Sequence, residues 1–198
     1  MTPTTTKVRE KATTRKFDLK TIDGAPEGSR PHLERAKKNF GFVPNLYRVF
    51  ANNPVALESY VGIGDALAEH GTLSPAEQQL VMLTVSRQNE CHYCVAAHST
   101  VGEQKGLSET SIEAIRKNRS LDDPKLEALR RFTKAAVKER GWLSDDAVSE
   151  FLDAGYKKKQ ILEVYAIVAM KTLSNYTNHL AATPLDEQFE EKRWQPTS

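Results

Sequence analysis

Two cysteines and one histidine form the most chemically capable stretch of this 198-residue chain. Cys91, Cys94 and His98 lie within eight residues of each other, and the chain has no other cysteine. On a helix that turns about 100° per residue, their three side chains fall in one narrow stripe. His92 is nearer in sequence, but it points about 100° away from Cys91. The spacing therefore predicts two thiols and one imidazole on the same helix face.

Thiol redox chemistry fits this group best. The thiolate is the reactive form, and a helix N-terminus or a nearby imidazolium lowers the pKa of a thiol. We predict that Asn89 is the N-cap, which puts Cys91 near the second helical position. A thiolate that attacks a peroxide becomes a sulfenic acid, and a second thiol then condenses with it to a disulfide. Residues three apart on a helix are about 5–6 Å apart, within the range of a disulfide, and His98 is placed to take or hold the proton.

Other uses of the same residues fit less well. A structural zinc site needs four ligands, so His179 would have to join the three on the stripe. Haem attachment needs a histidine directly after the second cysteine, where Val95 stands. A thioredoxin-type motif needs a βαβ context that the sequence lacks. A pair of buried cysteines without chemistry remains an open alternative.

The elements that must position this stripe are helices. From about residue 29 onward, helix-capping and helix-breaking residues separate segments of periodic apolar residues. We predict that helices start at Ser29, Asn53, Ser74, Ser108, Asp123 and Ser144. The last helix, at roughly residues 159–182, is the longest and most apolar. We therefore predict an all-α domain of about seven or eight helices at residues 29–185, with a long central C-terminal helix. Residues 1–28 are predicted to be a basic arm and residues 186–198 a tail.

Charge and hydropathy exclude several classes of protein. Residues 1–20 hold six basic and two acidic side chains, so the rest of the chain is slightly acidic although the net charge is +2. The body thus lacks the positive field of a nucleic-acid-binding protein. No apolar run approaches the roughly 20 residues of a membrane span, and the first residues lack the apolar stretch of a secretory signal. We expect a cytoplasmic protein that binds neither nucleic acid nor membrane.

The segment at residues 73–99 resembles the AhpD-like alkylhydroperoxidases of the carboxymuconolactone decarboxylase superfamily. The likeness rests on the C-x-x-C-x-x-x-H core and on the amphipathic helix before it. It implies that Cys94 attacks the peroxide, that Cys91 resolves the sulfenic acid and that His98 belongs to a proton relay. It also implies a homo-oligomer, usually a trimer or hexamer. Superfamily members without the cysteine pair can be decarboxylases, and this chain keeps the pair.

The proton relay departs from the family pattern. The relay commonly begins at a glutamate twelve residues before the first cysteine, and here that position is Gln79. Glutamine accepts no proton at neutral pH, although it can orient a water molecule. Glu77, Glu90 and His179 are the other candidates. Glu77 is also predicted to be a capping-box residue about 200° around the helix, and Glu90 points away from its neighbour Cys91. His179 fits a core histidine better than a relay residue.

The predicted function is a thiol-dependent peroxidase that reduces a hydroperoxide through a dithiol–disulfide cycle. No dinucleotide-binding motif is present, so electrons are expected from an external thiol or a lipoyl-type carrier. The sequence predicts no bound cofactor and no metal. Two alternatives remain open: a non-enzymatic oligomeric redox-sensing or assembly protein, favoured by Gln79 and the charged arm, and an enzyme of the carboxymuconolactone decarboxylase type.

Overall fold

Nine α-helices form the part of the chain that the computed structural model describes, residues 17–196, and no strand lies within it. In chain order they are α1 (Arg30–Phe40), α2 (Asn45–Phe50), α3 (Pro54–His70), α4 (Pro75–Gln88), α5 (His92–Gln104), α6 (Glu109–Arg116), α7 (Pro124–Lys138), α8 (Asp145–Asp153) and α9 (Lys158–Ala181). Short 3₁₀ segments lie at Glu27–Ser29 and Glu187–Lys192. The all-α prediction is confirmed, and eight of these helices have eight or more residues. The sequence pattern misses α2 because six residues are too few to show a helical period.

Side-chain caps explain why most helices start where the sequence predicts. The caps that accept a hydrogen bond from a backbone N–H of the first turn are Asn53, Ser74, Ser108, Asp123 and Ser144. At α4 the cap is reciprocal, because the Ser74 hydroxyl accepts from the Glu77 N–H and the Glu77 carboxylate accepts from the Ser74 N–H. The first helix ends at Gly41, whose φ of 81° is a conformation that favours glycine.

Helix α4 occupies the centre of the fold. It packs against α5, α6, α7 and α9, and its side chains from Leu80 to Ser86 are all buried. The long helix α9 packs on α3 and α4 through Val164, Ile167 and Met170. Its opposite side leaves Leu162, Tyr176 and Leu180 exposed. The two helices that carry the candidate site, α5 and α9, therefore both lie against α4.

The segments on either side of the predicted domain also pack on it. Residues 17–28 run along α2, where the Arg48 side chain donates to the carbonyl oxygens of Leu19 and Lys20. The first 16 residues of the predicted basic arm lie outside the described residues. After α9, the segment that was predicted to be a tail lies against α5 and buries Phe189 and Trp194. This C-terminal segment forms part of the wall of the candidate site.

Candidate active site

The turn between α4 and α5 places both cysteines at the start of α5. Asn89 caps the end of α4, and Cys91 itself occupies the N-cap position of α5, so the prediction that Asn89 is the N-cap is wrong. The reason is the intervening Glu90, whose φ of 52° turns the chain before α5 begins. Cys94 is consequently the third residue of α5, where the first-turn N–H groups and the positive end of the helix dipole favour an anion.

The two thiols have opposite electrostatic environments although both are buried. Burial opposes ionisation of Cys94, but a hydrogen bond from Cys91 and the nearby Lys171 ammonium together hold the pKa of the Cys94 thiol well below its usual value. The pKa of Cys91 is raised because its thiol bonds to the Cys94 sulfur and because it is buried. Asn178 adds a donor, since its side-chain nitrogen lies 3.2 Å from the sulfur of Cys94 and 3.8 Å from that of Cys91.

Lys171 is the charged group of this site. Its side chain is fully buried, and its Nζ lies 3.4 Å from the Cys94 sulfur. The same nitrogen lies 2.7 Å from Nε2 of His98. The ammonium therefore contacts both the candidate nucleophile and the candidate relay histidine.

His98 is held as a neutral imidazole in one tautomer. Burial and then the charge of Lys171 lower its pKa well below the usual value. Its Nε2 faces the Lys171 ammonium, so this nitrogen is the acceptor, and Nδ1 donates to the side-chain oxygen of Gln79 at 2.9 Å. Gln79 thus occupies the position of the family's glutamate and contacts His98, but it fixes the ring through an amide oxygen instead of a carboxylate.

A polar stripe on α9 supplies the groups that sequence reasoning missed. Lys171, Ser174, Asn175 and Asn178 recur at helical spacing and are all buried. Ser174 lies 3.9 Å from the Cys94 sulfur, and Asn175 accepts a hydrogen bond from the side chain of Asn89 at 2.9 Å. The signal that would have revealed them is four polar residues on one face of the longest helix, since polar groups are buried only with partners.

The structure does not bring the other three relay candidates to His98 or the cysteines. Glu77 accepts from Tyr156 at 3.0 Å and pairs with Lys125 at 3.2 Å, besides its capping bonds. Burial alone would raise the pKa of Glu77, but the hydrogen bonds from Ser74 and Tyr156 lower it. Glu90 is exposed on the turn before α5. His179 is also exposed, with its ring stacked beside Tyr176, so it is neither a site residue nor a core histidine by position.

A cavity of about 300 Å³ opens onto the site. Cys94, His98 and Lys171 line one part of it, whereas Cys91 is not among the lining residues. Its aromatic walls are Phe40, Phe42, Tyr47, Tyr60, Tyr93 and Phe189. A molecule in this cavity therefore meets Cys94 first, on a mostly apolar surface.

The C-terminal segment holds one wall of the cavity in place. The Tyr93 hydroxyl donates to the Asp186 carboxylate, which also accepts from the Asn45 backbone N–H at 3.0 Å. Burial and the neighbouring carboxylate raise the pKa of Tyr93 well above its usual value. Phe189 then packs edge-on against the Tyr93 ring. The segment thus connects α2 and α5 beside the reactive sulfur.

Within residues 17–196 no helix has both the length and the apolar character to cross a membrane. In the same part of the chain, no three His, Cys, Asp or Glu side chains form a group that could hold a metal ion.

Comparison with known proteins agrees with this architecture. Residues 54–138, which include both cysteines and His98, match the carboxymuconolactone decarboxylase family. This match to the segment that carries both cysteines agrees with the resemblance that the sequence motif shows. No curated protein matches the sequence significantly.

Solved structures share the fold at low sequence identity. The alkylhydroperoxidase AhpD core protein of Ralstonia eutropha JMP134, an uncharacterized peroxidase-related protein, is 19% identical with a TM-score of 0.81, over 91% of this chain and 97% of that one. A peroxidase-related protein of Silicibacter sp. TM1040 is 19% identical with a TM-score of 0.74, over 87% and 92%. The debrominase Bmp8, as a cysteine-to-alanine variant in complex with 2,3,4-tribromopyrrole, is 16% identical with a TM-score of 0.74, over 89% and 94%.

Proposed function

We propose that this protein is a thiol-dependent peroxidase that reduces organic hydroperoxides at Cys94. The observation that carries the proposal is a buried sulfur of lowered pKa, in contact with Lys171 and facing an aromatic cavity, with a second thiol behind it. A thiolate is the form of cysteine that attacks peroxides. The aromatic walls favour a hydroperoxide with an apolar body over hydrogen peroxide.

The first step forms a bond between the Cys94 sulfur and the terminal oxygen of the hydroperoxide. The O–O bond breaks, the sulfur becomes a sulfenic acid, and the departing alkoxide takes a proton from the Lys171 ammonium. A proton from solvent returns to Lys171 through Nε2 of His98, and Gln79 orients the His98 ring without carrying the proton. The alcohol then leaves the cavity.

The second step uses Cys91. Its thiol attacks the sulfenic sulfur of Cys94, an S–S bond forms, and the hydroxyl leaves as water with the Cys91 proton. The position of Cys91 off the cavity supports this order, since only Cys94 meets the substrate directly. An external thiol or lipoyl-type carrier would reduce the disulfide in a cytoplasmic location, where reductants keep thiols reduced.

The proposal includes self-association into a trimer or hexamer. Its support is the exposed apolar side of α9, on which Leu162 is 70% and Tyr176 61% exposed. An exposed apolar stripe of this kind is typical of a protein–protein interface.

Steady-state turnover of cumene hydroperoxide with a dithiol reductant tests the assignment. Cys94→Ser should abolish peroxide consumption, whereas Cys91→Ser should stop after one event at a sulfenic acid that a dimedone probe traps. His98→Gln should lower turnover, whereas the matched control His92→Gln, at an exposed neighbouring histidine, should not.

Activity on a lactone substrate that survives loss of both thiols would favour decarboxylase-type chemistry instead. Redox-dependent partner binding without turnover would favour a sensor.

Reductive removal of bromine from an aromatic substrate is a second candidate. The favouring observation is the aromatic lining around a thiolate, in a fold shared with a debrominase that binds 2,3,4-tribromopyrrole. Cys94 would take the bromine, the ring carbon would gain a proton, and Cys91 would displace bromide as the disulfide forms. Stoichiometric bromide release from tribromopyrrole by the reduced protein would support this candidate, and its absence beside rapid hydroperoxide turnover would reject it.

A further inference from the structure

Lys171 is a buried cation whose only anionic neighbour within residues 17–196 is the Cys94 sulfur. Its side chain is fully buried, and its hydrogen bonds within residues 17–196 go to the Cys94 sulfur and to neutral His98. No carboxylate of the described residues pairs with it. In the reduced protein the Cys94 thiolate is therefore its counter-charge.

Oxidation removes that counter-charge. In the cycle proposed above, on which this inference rests, the Cys94 sulfur ends in a neutral disulfide with Cys91. A disulfide of about 2.05 Å also draws the Cys94 sulfur toward Cys91. A buried ammonium without an anion is costly, so the oxidised protein gains stability when an anion lies beside Lys171.

We propose that the oxidised protein binds an organic carboxylate in the aromatic cavity, with its carboxylate on Lys171. Lys171 lines the cavity, so a ligand in the cavity lies next to the Lys171 side chain. The carboxylate replaces the lost thiolate charge beside Lys171, and the aromatic walls enclose an apolar body. A cavity of about 300 Å³ is at the small end of ligand sites, which favours a one-ring acid. The reduced protein excludes such anions because the thiolate already occupies this position.

The two oxidation states of one protein allow a direct test with benzoate. Reduced protein is prepared with a dithiol and desalted, and oxidised protein is made with diamide, so that the disulfide does not depend on peroxidase activity. Calorimetry should show benzoate binding at least tenfold more tightly to the oxidised form. Benzamide, which has the same ring without the charge, should show no such preference. Oxidised Lys171→Met should lose the benzoate preference, whereas Lys158→Met, an exposed lysine of the same helix, should keep it.

The outcomes separate this inference from the proposed function. Suppose that diamide forms the Cys91–Cys94 disulfide. If benzoate then shows the same affinity for both oxidation states, or no more preference for the oxidised state than benzamide shows, the inference is wrong and the peroxidase proposal stands. If no intramolecular disulfide forms, both are wrong. The benzoate–benzamide comparison uses wild-type protein, so it decides the question even where Lys171→Met does not fold.

Discussion

Cys94 and Cys91 lie one helical turn apart, yet their thiol pKa values move in opposite directions. Burial acts on both, so the difference comes from what each sulfur contacts. Cys94 accepts hydrogen bonds from Cys91 and Asn178 and lies beside the Lys171 charge. Cys91 is a donor to that sulfur and therefore stays protonated. In the proposed cycle, this asymmetry makes Cys94 the nucleophile and Cys91 the resolving thiol.

Removing the Lys171 charge should slow Cys94 chemistry. We expect Lys171→Met to lower the rate of alkylation of Cys94 by iodoacetamide at pH 6.5 at least tenfold, because a shift of one pKa unit changes the thiolate fraction about tenfold. Peptide mass analysis after timed quenching identifies the alkylated residue. Lys158→Met, also on α9 but exposed, should react like wild type. An unchanged rate in Lys171→Met would show that the ammonium does not stabilise the thiolate.

The neutral state of His98 predicts how stability depends on pH. Its pKa is lower in the folded protein than in the unfolded chain, which binds a proton near pH 6.5. Below that pH the unfolded state holds more protons, so His98 makes the native state less stable as pH falls. Urea unfolding of reduced protein should lose stability between pH 6.5 and 5 more steeply in wild type than in His98→Gln, by up to about 1.4 kcal/mol per pH unit. Equal slopes would mean that the folded imidazole is protonated too.

At the level of helices, local signals account for the elements that the sequence predicted. A cap such as Ser108 or Asp123 acts on N–H groups two or three residues away, so its effect can be read from a short segment. The start of α5 could not be read in this way, because Glu90 adopts a positive φ that glutamate rarely takes.

The part of the site on α9 depends on long-range packing. The spacing predicted that Cys91, Cys94 and His98 share one helix face, and the family resemblance implied the Gln79 position. Lys171 is 77 residues from Cys94, and no periodicity fixes which face of one helix meets which face of another. The polar stripe on α9 was missed in the sequence, and only the packing of α9 on α4 and α5 identifies the partners of its side chains.

A substitution of Glu77 distinguishes a structural role in the α4 cap from a role in the proton relay. Its carboxylate serves the α4 cap and Tyr156, so Glu77→Ala should lower the free energy of unfolding by about 1–2 kcal/mol. Cys94 alkylation should stay at the wild-type rate. Glu58→Ala, at an exposed position of α3, is the control for loss of an acidic side chain. A large fall in Cys94 reactivity with unchanged stability would instead assign Glu77 to the proton relay.

At the scale of the whole molecule, the exposed apolar side of α9 predicts that copies of the chain associate into an oligomer. Leu162, Ala169, Tyr176 and Leu180 recur at intervals of seven, seven and four residues, all exposed, which is the spacing of one helix face. The doubly substituted Leu162→Glu/Leu180→Glu protein should have a lower mass by light scattering than the trimer or hexamer expected for wild type. Trp142→Glu, which changes an apolar residue that is 88% exposed outside α9, should keep the wild-type mass. A monomeric wild type at micromolar concentration would contradict the prediction.

One measurement tests the peroxidase proposal most directly: the number of free thiols after one equivalent of cumene hydroperoxide is added to reduced wild-type protein without any reductant. The account predicts that two thiols per chain disappear, that one equivalent of alcohol forms, and that peptide mass analysis finds an intramolecular Cys91–Cys94 disulfide. Both thiols remaining free, with the hydroperoxide unconsumed, would contradict it.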